Sequence, residues 1–497
     1  MGIFKPCDIR GVVGEQWDTP EARRIGEGLG RLLTRRGEKR VFVGGDFRRS
    51  TPRLKAALIE GLRRSGVSVC DLGQLPTPAV YFAARQYGCP NVAVVTASHN
   101  PAQYNGVKLM VAGQPGVPKL LEELKEEYEQ LGSMTPPGSR ADCESLDVVP
   151  EYERWIIPTV RQFVDQGLRR TGRSPLGDED GVGQVGTVSD AAPERFLGDR
   201  RWRTGPTSLR ISIDPMAGAF TQIAPRVLQS AGFAVETLGE PIDPDFARGA
   251  PNPANDRNLA PLIEHVRRQR TDLGLALDGD GDRIIFVDST GRIARPEQIA
   301  VVLIRFLFPR PIVVYDLKCA SIVAQATADA GGRALMQPSG HGFIKSRIIE
   351  EQADLGVEVS GHHFYGSLEG SDDGLFTALV LLELMARTAN TLADWLDEVP
   401  WPWITPDIRI PFRGEPQAAL DRIAATCGGR VSRLDGVRTE YDEGWALARA
   451  SITEPAITFR FEGRDRATLR TIVDRFLRSV PDLKQAVEER VASSESA

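Results

Sequence analysis

The sequence predicts an α/β protein built of several sheet-and-helix layers in series, and three observations predict it. Short apolar runs that read as strands, at 41–43, 68–70 and 93–95, interleave with helix-like stretches at 20–35 and 52–65, and the alternation recurs around 211–213, 273–277 and 312–315. A chain of 497 residues exceeds what one core supports and suggests three or four domains of roughly 150 residues each. Proline and glycine concentrate at 132–138, near Pro296 and at 400–406, as linkers require, which divides the chain into 1–145, 146–294, 295–402 and 403–497. Repeated βα units stacked in sequence are the simplest architecture for such a pattern. The last piece differs, with alternation at 456–461 followed by a helical run at 467–480.

Composition excludes several function classes. Apolar content of 41% and charged content of 26% are those of a globular protein, and a formal charge of -6 argues against a general nucleic-acid or anionic-membrane binder. Six cysteines without a C-x-x-C pair indicate neither a zinc site nor a disulfide framework, and they suit a reducing cytoplasm. The start, Met1-Gly2-Ile3-Phe4-Lys5-Pro6, lacks the apolar core of a signal peptide, and Pro6 breaks the myristoylation pattern. The longest apolar run, 375–385, carries Glu383 and is too short to span a bilayer. A soluble, unanchored cytoplasmic protein is expected.

In the first piece, Thr96-Ala97-Ser98-His99-Asn100-Pro101 directly follows an apolar run, and the carboxyl end of a strand is where open α/β sheets place their chemistry. Ser98 is a candidate nucleophile; a helix cap before Pro101 is the other reading of the same residues. In the second piece, 168–206 loses apolar periodicity and reads as an exposed insertion. Its Gly181-Val182-Gly183-Gln184-Val185-Gly186 matches G-x-G-x-x-G literally, but no strand precedes it and Asp178-Glu179-Asp180 would repel a pyrophosphate.

The second piece also holds Asp278-Gly279-Asp280-Gly281-Asp282-Arg283. Three carboxylates at alternate positions cannot sit close together without a cation, and Gly279 and Gly281 let the loop fold them around one hard divalent ion. An EF-hand is excluded because Arg283 and Ser289 stand where glycine and glutamate are needed. Strand-like runs on both sides oppose a merely solvated acidic loop. A metal and an exposed serine suggest a shared phosphate, and Mg²⁺ takes its remaining ligands from phosphate oxygens.

The third piece offers Glu358-Val359-Ser360-Gly361-His362-His363, with acceptor, hydroxyl and imidazole suited to sugar hydroxyls, and His341 in a glycine-flanked turn. The fourth offers Arg449-Ala450-Ser451-Ile452-Thr453-Glu454-Pro455, either a pocket for phosphate or an Arg449–Glu454 ion pair.

Together these loops, with Asp8-Ile9-Arg10-Gly11, Asn105-Gly106-Val107-Lys108, Asp316-Leu317-Lys318-Cys319 and Gly340-His341-Gly342-Phe343-Ile344-Lys345, resemble the α-D-phosphohexomutases, the phosphoglucomutase and phosphomannomutase family. Order and spacing agree over nearly the whole chain. The resemblance implies four domains around one central cleft: three related α/β domains and a smaller C-terminal α+β domain with a mixed sheet. It implies a phosphoryl group on Ser98, with Mg²⁺ held by Asp278, Asp280, Asp282 and a phosphoserine oxygen. A hexose 1,6-bisphosphate is the implied intermediate between hexose 6-phosphate and hexose 1-phosphate. Ser98, His99, Lys108, Arg10 and His362 are the implied catalytic groups, with Lys108 and His362 moving protons. Arg283, Lys318, His341, Glu358, Ser360 and His362 would bind the sugar, and Arg449, Ser451 and Thr453 its nonreacting phosphate.

The chain departs from the family pattern at Cys7, Val357, Ile452 and Gly45, where an aromatic, a glycine, a glycine or asparagine and a basic residue are usual. Val357 and Ile452 are β-branched and avoid positive φ, so a shifted backbone is expected there. Mannose or glucose phosphates are the expected substrates, on a monomer or small homo-oligomer, with neither nucleic acid nor membrane as partner. A phosphatase using the same serine and a non-catalytic sugar-phosphate binder stay open as alternatives.

Overall fold

The structure, a computed structural model, describes residues 2–131, 141–173, 209–239, 241–451 and 455–494. The linker read at 132–138, the Gly181–Gly186 motif and residues Ile452, Thr453 and Glu454 lie outside the described residues, as does the insertion from 174 onward.

Among the described residues four sheets form, in chain order. The first runs Ile9–Val12, Tyr104–Val111, Val92–Val95, Arg40–Gly45, Ser68–Gln74, Cys143–Ser145, with Gln114–Pro115 on the side of Tyr104–Val111. Alternation sorts its side chains onto two faces. Val41, Val43, Val69, Ala93 and Val95 pack with the helices Thr19–Arg35 and Thr51–Arg64, while Phe42, Cys70, Val92 and Val94 pack with Thr77–Gln86. Strands buried on both faces explain why they read as continuous apolar runs.

The second sheet runs Ile293–Ala294, Ile284–Asp288, Leu273–Leu277, Arg210–Asp214, Ala234–Thr237, and the third Ser371–Asp372, His363–Tyr365, Leu355–Val357, Ile312–Asp316, Arg333–Gln337. Each of the three sheets holds the same core, in which three strands lie parallel and the chain then returns antiparallel beside the third. The returns 96–103, 278–283 and 358–362 are therefore one connection built three times.

The fourth sheet is smaller, and its strand pairings among the described residues are all antiparallel, which corrects the mixed sheet expected for it. Parallel pairing needs a long crossover, and this piece is built from short hairpins. Helices Pro416–Thr426, Arg466–Leu477 and Pro481–Ser494 supply its core.

One further expectation shifts. Helix Val149–Arg170 extends past 168 and buries Leu168, so the aperiodic stretch starts later than its composition suggested. The apolar run 375–385 is the core helix Gly374–Thr388, where Phe376 meets Trp155 and Phe163. Among the described residues no single helix is long and apolar enough to cross a membrane.

Candidate active site

Ser98 sits where the chain leaves the strand Val92–Val95, at φ +49, fully buried. No helix starts there: the chain turns into the strand Tyr104–Val111, which removes the helix-cap reading. The turn is braced from within, since Thr96 Oγ1 accepts from Ser98 N at 2.8 Å and donates to Asp46 Oδ2 at 2.8 Å. It is also braced from below. Arg48, fully buried and 3.0 Å from Asp46 Oδ2, donates to the carbonyls of Ser98, Asn100 and Pro101, each at 2.7 Å.

The serine faces the aspartate loop of the second sheet. Ser98 Oγ donates to Asp278 Oδ2 at 2.6 Å and lies 3.2 Å from His99 Nδ1. Asp278 Oδ1 accepts the N–H groups of Gly281 and Arg283 at 2.9 and 3.2 Å, which curls the loop around it. Gly279 permits the close approach, because a Cβ there would stand 2.5 Å from the Ser98 carbonyl oxygen.

Asp280 Oδ2 accepts from Lys108 Nζ at 2.8 Å and Thr77 Oγ1 at 2.7 Å, and Lys108 also pairs with Asp282 Oδ2. The Oδ1 atoms of Asp280 and Asp282 are buried without a hydrogen-bond partner among the described residues. One ligand atom from each of the three aspartates lies within 4.8 Å of the others. Three buried carboxylates this close together, two of them with an unpartnered oxygen, are a donor set that fits a hard divalent ion.

Electrostatics follows the same geometry. Burial, with Asp280 and Asp282 adding, holds Asp278 well above the usual carboxylate range. Burial acts the same way on Asp280, but Lys108 and Thr77 outweigh it and keep this carboxyl low. Burial would strip the Lys108 proton; Asp280 and Asp282 hold it on.

The third sheet brings its return loop to the same place. Arg283 and His362 form an antiparallel bridge, and Ile284 N donates to the Gly361 carbonyl at 3.1 Å. Arg283 Nε donates to His362 Nε2 at 2.8 Å, which fixes the imidazole proton on Nδ1, 2.6 Å from Asp372 Oδ2. Burial, opposed by Asp282, pushes His362 down to about 4, so the ring is neutral at pH 7. Both ring nitrogens thus face protein groups. Ser360 Oγ donates to Glu358 Oε1 at 2.9 Å, and Glu358 Oε2 is buried without a partner among the described residues. His341 does not lie in a turn as expected: it opens the helix His341–Glu351 behind Gly340, with its ring centroid 6.2 Å from that of His362. Arg10 donates to Asn100 Oδ1 at 3.0 Å and pairs with Asp8, which puts it beside the serine loop.

Contacts therefore join Ser98, His99, Lys108, Asp278, Asp280, Asp282, Arg283 and His362, with Arg10, His341, Glu358 and Ser360 around them. Lys318 and Arg449 are not drawn into that cluster. Lys318 Nζ donates to Asp407 Oδ2 at 2.5 Å, and Arg449 lies 3.2 Å from Asp435, a partner other than Glu454. Ser451 N donates to the Ala456 carbonyl at 2.9 Å, and Thr453 lies outside the described residues.

Val357 overturns its expectation. It pairs with His363 inside the strand Leu355–Val357 and its φ is not positive, so this β-branched residue is where it belongs. Gly45 has no room for a basic side chain, since a Cβ would meet Thr51 Cγ2 at 2.5 Å. The Cys7 thiol sits against Gly340 and Gly342, and burial, with Asp8 and Glu358 adding, pushes it up to about 12.

Sequence reasoning missed Asp46 and Arg48 beneath the serine loop, Thr77 against Asp280, and Asp372 against His362. The available signals were an Asp-x-Arg after the strand Arg40–Gly45, Pro76-Thr77-Pro78 ahead of a helix, and the acidic pair Asp372-Asp373 before an apolar one.

Four family profiles match the chain: phosphoglucomutase/phosphomannomutase alpha/beta/alpha domains I, II and III at residues 1–134, 199–291 and 295–401, and the C-terminal domain at 408–479. The phosphomannomutase/phosphoglucomutase of Pseudomonas aeruginosa PAO1 is 32% identical over 478 residues, covering 95% of this chain and 93% of that one. The phosphoglucomutase of Neisseria gonorrhoeae is 29% identical, covering 95% of both. Among solved structures, a phosphoglucomutase/phosphomannomutase family protein of Burkholderia thailandensis superposes with a TM-score of 0.80 at 32% identity over 97% of each chain. A putative phosphomannomutase of Thermus thermophilus gives 0.73 at 25% identity, covering 97% of this chain and 98% of that one.

Proposed function

The chain belongs to the phosphoglucomutase/phosphomannomutase family of α-D-phosphohexomutases, and on that premise we propose that it interconverts hexose 6-phosphate and hexose 1-phosphate through a phosphoserine at Ser98 and a hexose 1,6-bisphosphate. Mannose and glucose phosphates are the proposed substrates. The observation that carries this reading is the 2.6 Å hydrogen bond from Ser98 to Asp278, made between loops of two different sheets. It puts a candidate phosphate carrier and a candidate metal cradle in one site.

Asp278, Asp280, Asp282 and a phosphoserine oxygen are the proposed Mg²⁺ ligands, and the ion when bound neutralises charge on the phosphoryl group. In the first transfer the bond from phosphorus to Ser98 Oγ breaks while a free hydroxyl of the bound hexose phosphate forms the new one. The hydroxyl gives up its proton and Ser98 Oγ regains one. In the second, the other phosphoryl group of the bisphosphate passes to Ser98 Oγ, whose proton is lost as the departing sugar oxygen gains one.

Lys108, kept charged by two carboxylates, suits the donor in these exchanges, and neutral His362 suits the acceptor once its Nε2 is released from Arg283. Arg10 faces the phosphoryl group and His99 orients the serine hydroxyl. Glu358, Ser360, His341, Arg283 and Lys318 hold the sugar, while Arg449, Ser451 and Thr453 hold the phosphate that is not being transferred. In this reading 1–145 carries the serine, 146–294 the metal loop, 295–402 the sugar loop and 403–497 the phosphate loop.

A coupled assay with mannose 1-phosphate or glucose 1-phosphate, Mg²⁺ and phosphorylated protein tests the reading. The matching 6-phosphate is the expected product, and no turnover of either substrate refutes the assignment.

A further inference from the structure

We propose that Thr77, on the first sheet's helix Thr77–Gln86, is a positioning residue for Asp280 on the second sheet, and that it thereby sets the affinity of the aspartate loop for a divalent ion. The inference rests on the metal reading of that loop given above.

Thr77 is fully buried and opens its helix between Pro76 and Pro78. The first N–H groups of a helix have no partner inside it. Thr77 N finds one in the main-chain carbonyl of Asp280 at 2.9 Å, and Pro78 has no N–H to compete for it. The Thr77 hydroxyl donates in turn to Asp280 Oδ2 at 2.7 Å. Two bonds from one residue to another fix both the position of the Asp280 main chain and the rotation of its carboxylate. The positive end of the helix also points at this acid.

The consequence lies in which oxygen is left over. Oδ2 is occupied by Thr77 and by Lys108 at 2.8 Å, whereas Oδ1 is buried and unpartnered among the described residues. Lys108 cannot hold this orientation alone, because the same ammonium also pairs with Asp282 and can follow either carboxylate. The hydroxyl of Thr77 is the bond specific to Asp280. Removing it frees the carboxylate to turn, and loss of a partner of this kind typically weakens metal binding 10–100-fold, roughly.

Mn²⁺ binding to the full chain, followed by electron paramagnetic resonance with Ser98 in one phosphorylation state throughout, tests the inference. Thr77→Val, which keeps the shape, and Thr77→Ala, which does not, are each expected to raise the Mn²⁺ dissociation constant about tenfold or more. Thr77→Ser, which keeps the hydroxyl, is expected to bind as the wild type does. Val80→Ala, a buried change on the same helix, is expected to lower Tm without moving Mn²⁺ affinity. Wild-type affinity in both Thr77→Val and Thr77→Ala, or an equal loss in Val80→Ala, overturns the inference while leaving the metal reading intact. Mn²⁺ binding unchanged by Asp280→Asn overturns the metal reading, and the inference with it.

Discussion

A serine at φ +49 occupies a conformation that costs an L-residue about 1–2 kcal/mol, so something must hold it there. Arg48 does so by donating to three carbonyls of the turn, at Ser98, Asn100 and Pro101, while its charge is met by Asp46. Arg48→Ala leaves Asp46 buried without its partner, and chemical denaturation is expected to show a loss of about 3–5 kcal/mol. Arg48→Lys keeps the charge but not the planar fork, so it should recover part of that stability while phosphate incorporation at Ser98 stays slow. Wild-type incorporation in Arg48→Lys contradicts this account of the loop. The residues legible in the sequence, Ser98, the three aspartates and Glu358 to His362, share one property: each group acts from a few consecutive positions. Arg48, Thr77 and Asp372 instead act on Ser98, Asp280 and His362, partners that only folding brings near, so the local signal at each residue does not say what it touches.

At the scale of elements, the three related sheets place their working loops at one topological position, the return after the third parallel strand. This repetition explains why loops far apart in sequence are alike in place. The strands were legible because burial on both faces makes them apolar runs. The short strand Ser371–Asp372 was not, since two polar residues carry no period, and neither was the antiparallel pairing of the fourth sheet.

The helix Gly374–Thr388 shows what such burial costs at its start. Asp373 caps it by accepting from Phe376 N at 2.9 Å and also accepts from Tyr152 at 2.9 Å, yet burial outweighs both and raises its carboxyl to about 7. The folded protein then binds more protons than the unfolded chain between about pH 4 and about pH 7, so this group's contribution to stability falls as pH rises through that window and is level above it. Asp373→Asn keeps a good cap without the ionisation. Melting curves are expected to show the variant gaining on the wild type from pH 4 to pH 7, by roughly one to a few kcal/mol, and a constant difference refutes the assignment.

Over the whole molecule, one continuous apolar core reaches all of the first three sheets, whereas the fourth has its own and meets the third through a small buried cluster of Leu317, Trp445 and Leu447 and through polar groups. Lys318 reaches Asp407, Ser321 reaches Glu462, and Arg438 reaches the Leu317 carbonyl. The site is assembled in the same chain of contacts: Thr77 and Lys108 bind the second sheet's loop to the first sheet, and Arg283 binds it to the third. The division into four was legible in the order of the motifs, whereas Pro296, read as part of a linker, opens the helix Pro296–Leu307. The convergence of the four pieces was not legible, because it depends on which faces pack together, and local composition does not encode that.

In the proposed reaction Ser98 carries a phosphoryl group between two oxygens of a hexose. The most direct measurement loads Ser98 with isotopically labelled phosphate, chases with mannose 1-phosphate or glucose 1-phosphate in Mg²⁺, and asks where the label goes. Label is expected in hexose phosphate, and none is expected to be taken up by Ser98→Ala. Label released as inorganic phosphate, or a Ser98 that never accepts it, rules out a phosphoryl carrier between hexose oxygens at this serine.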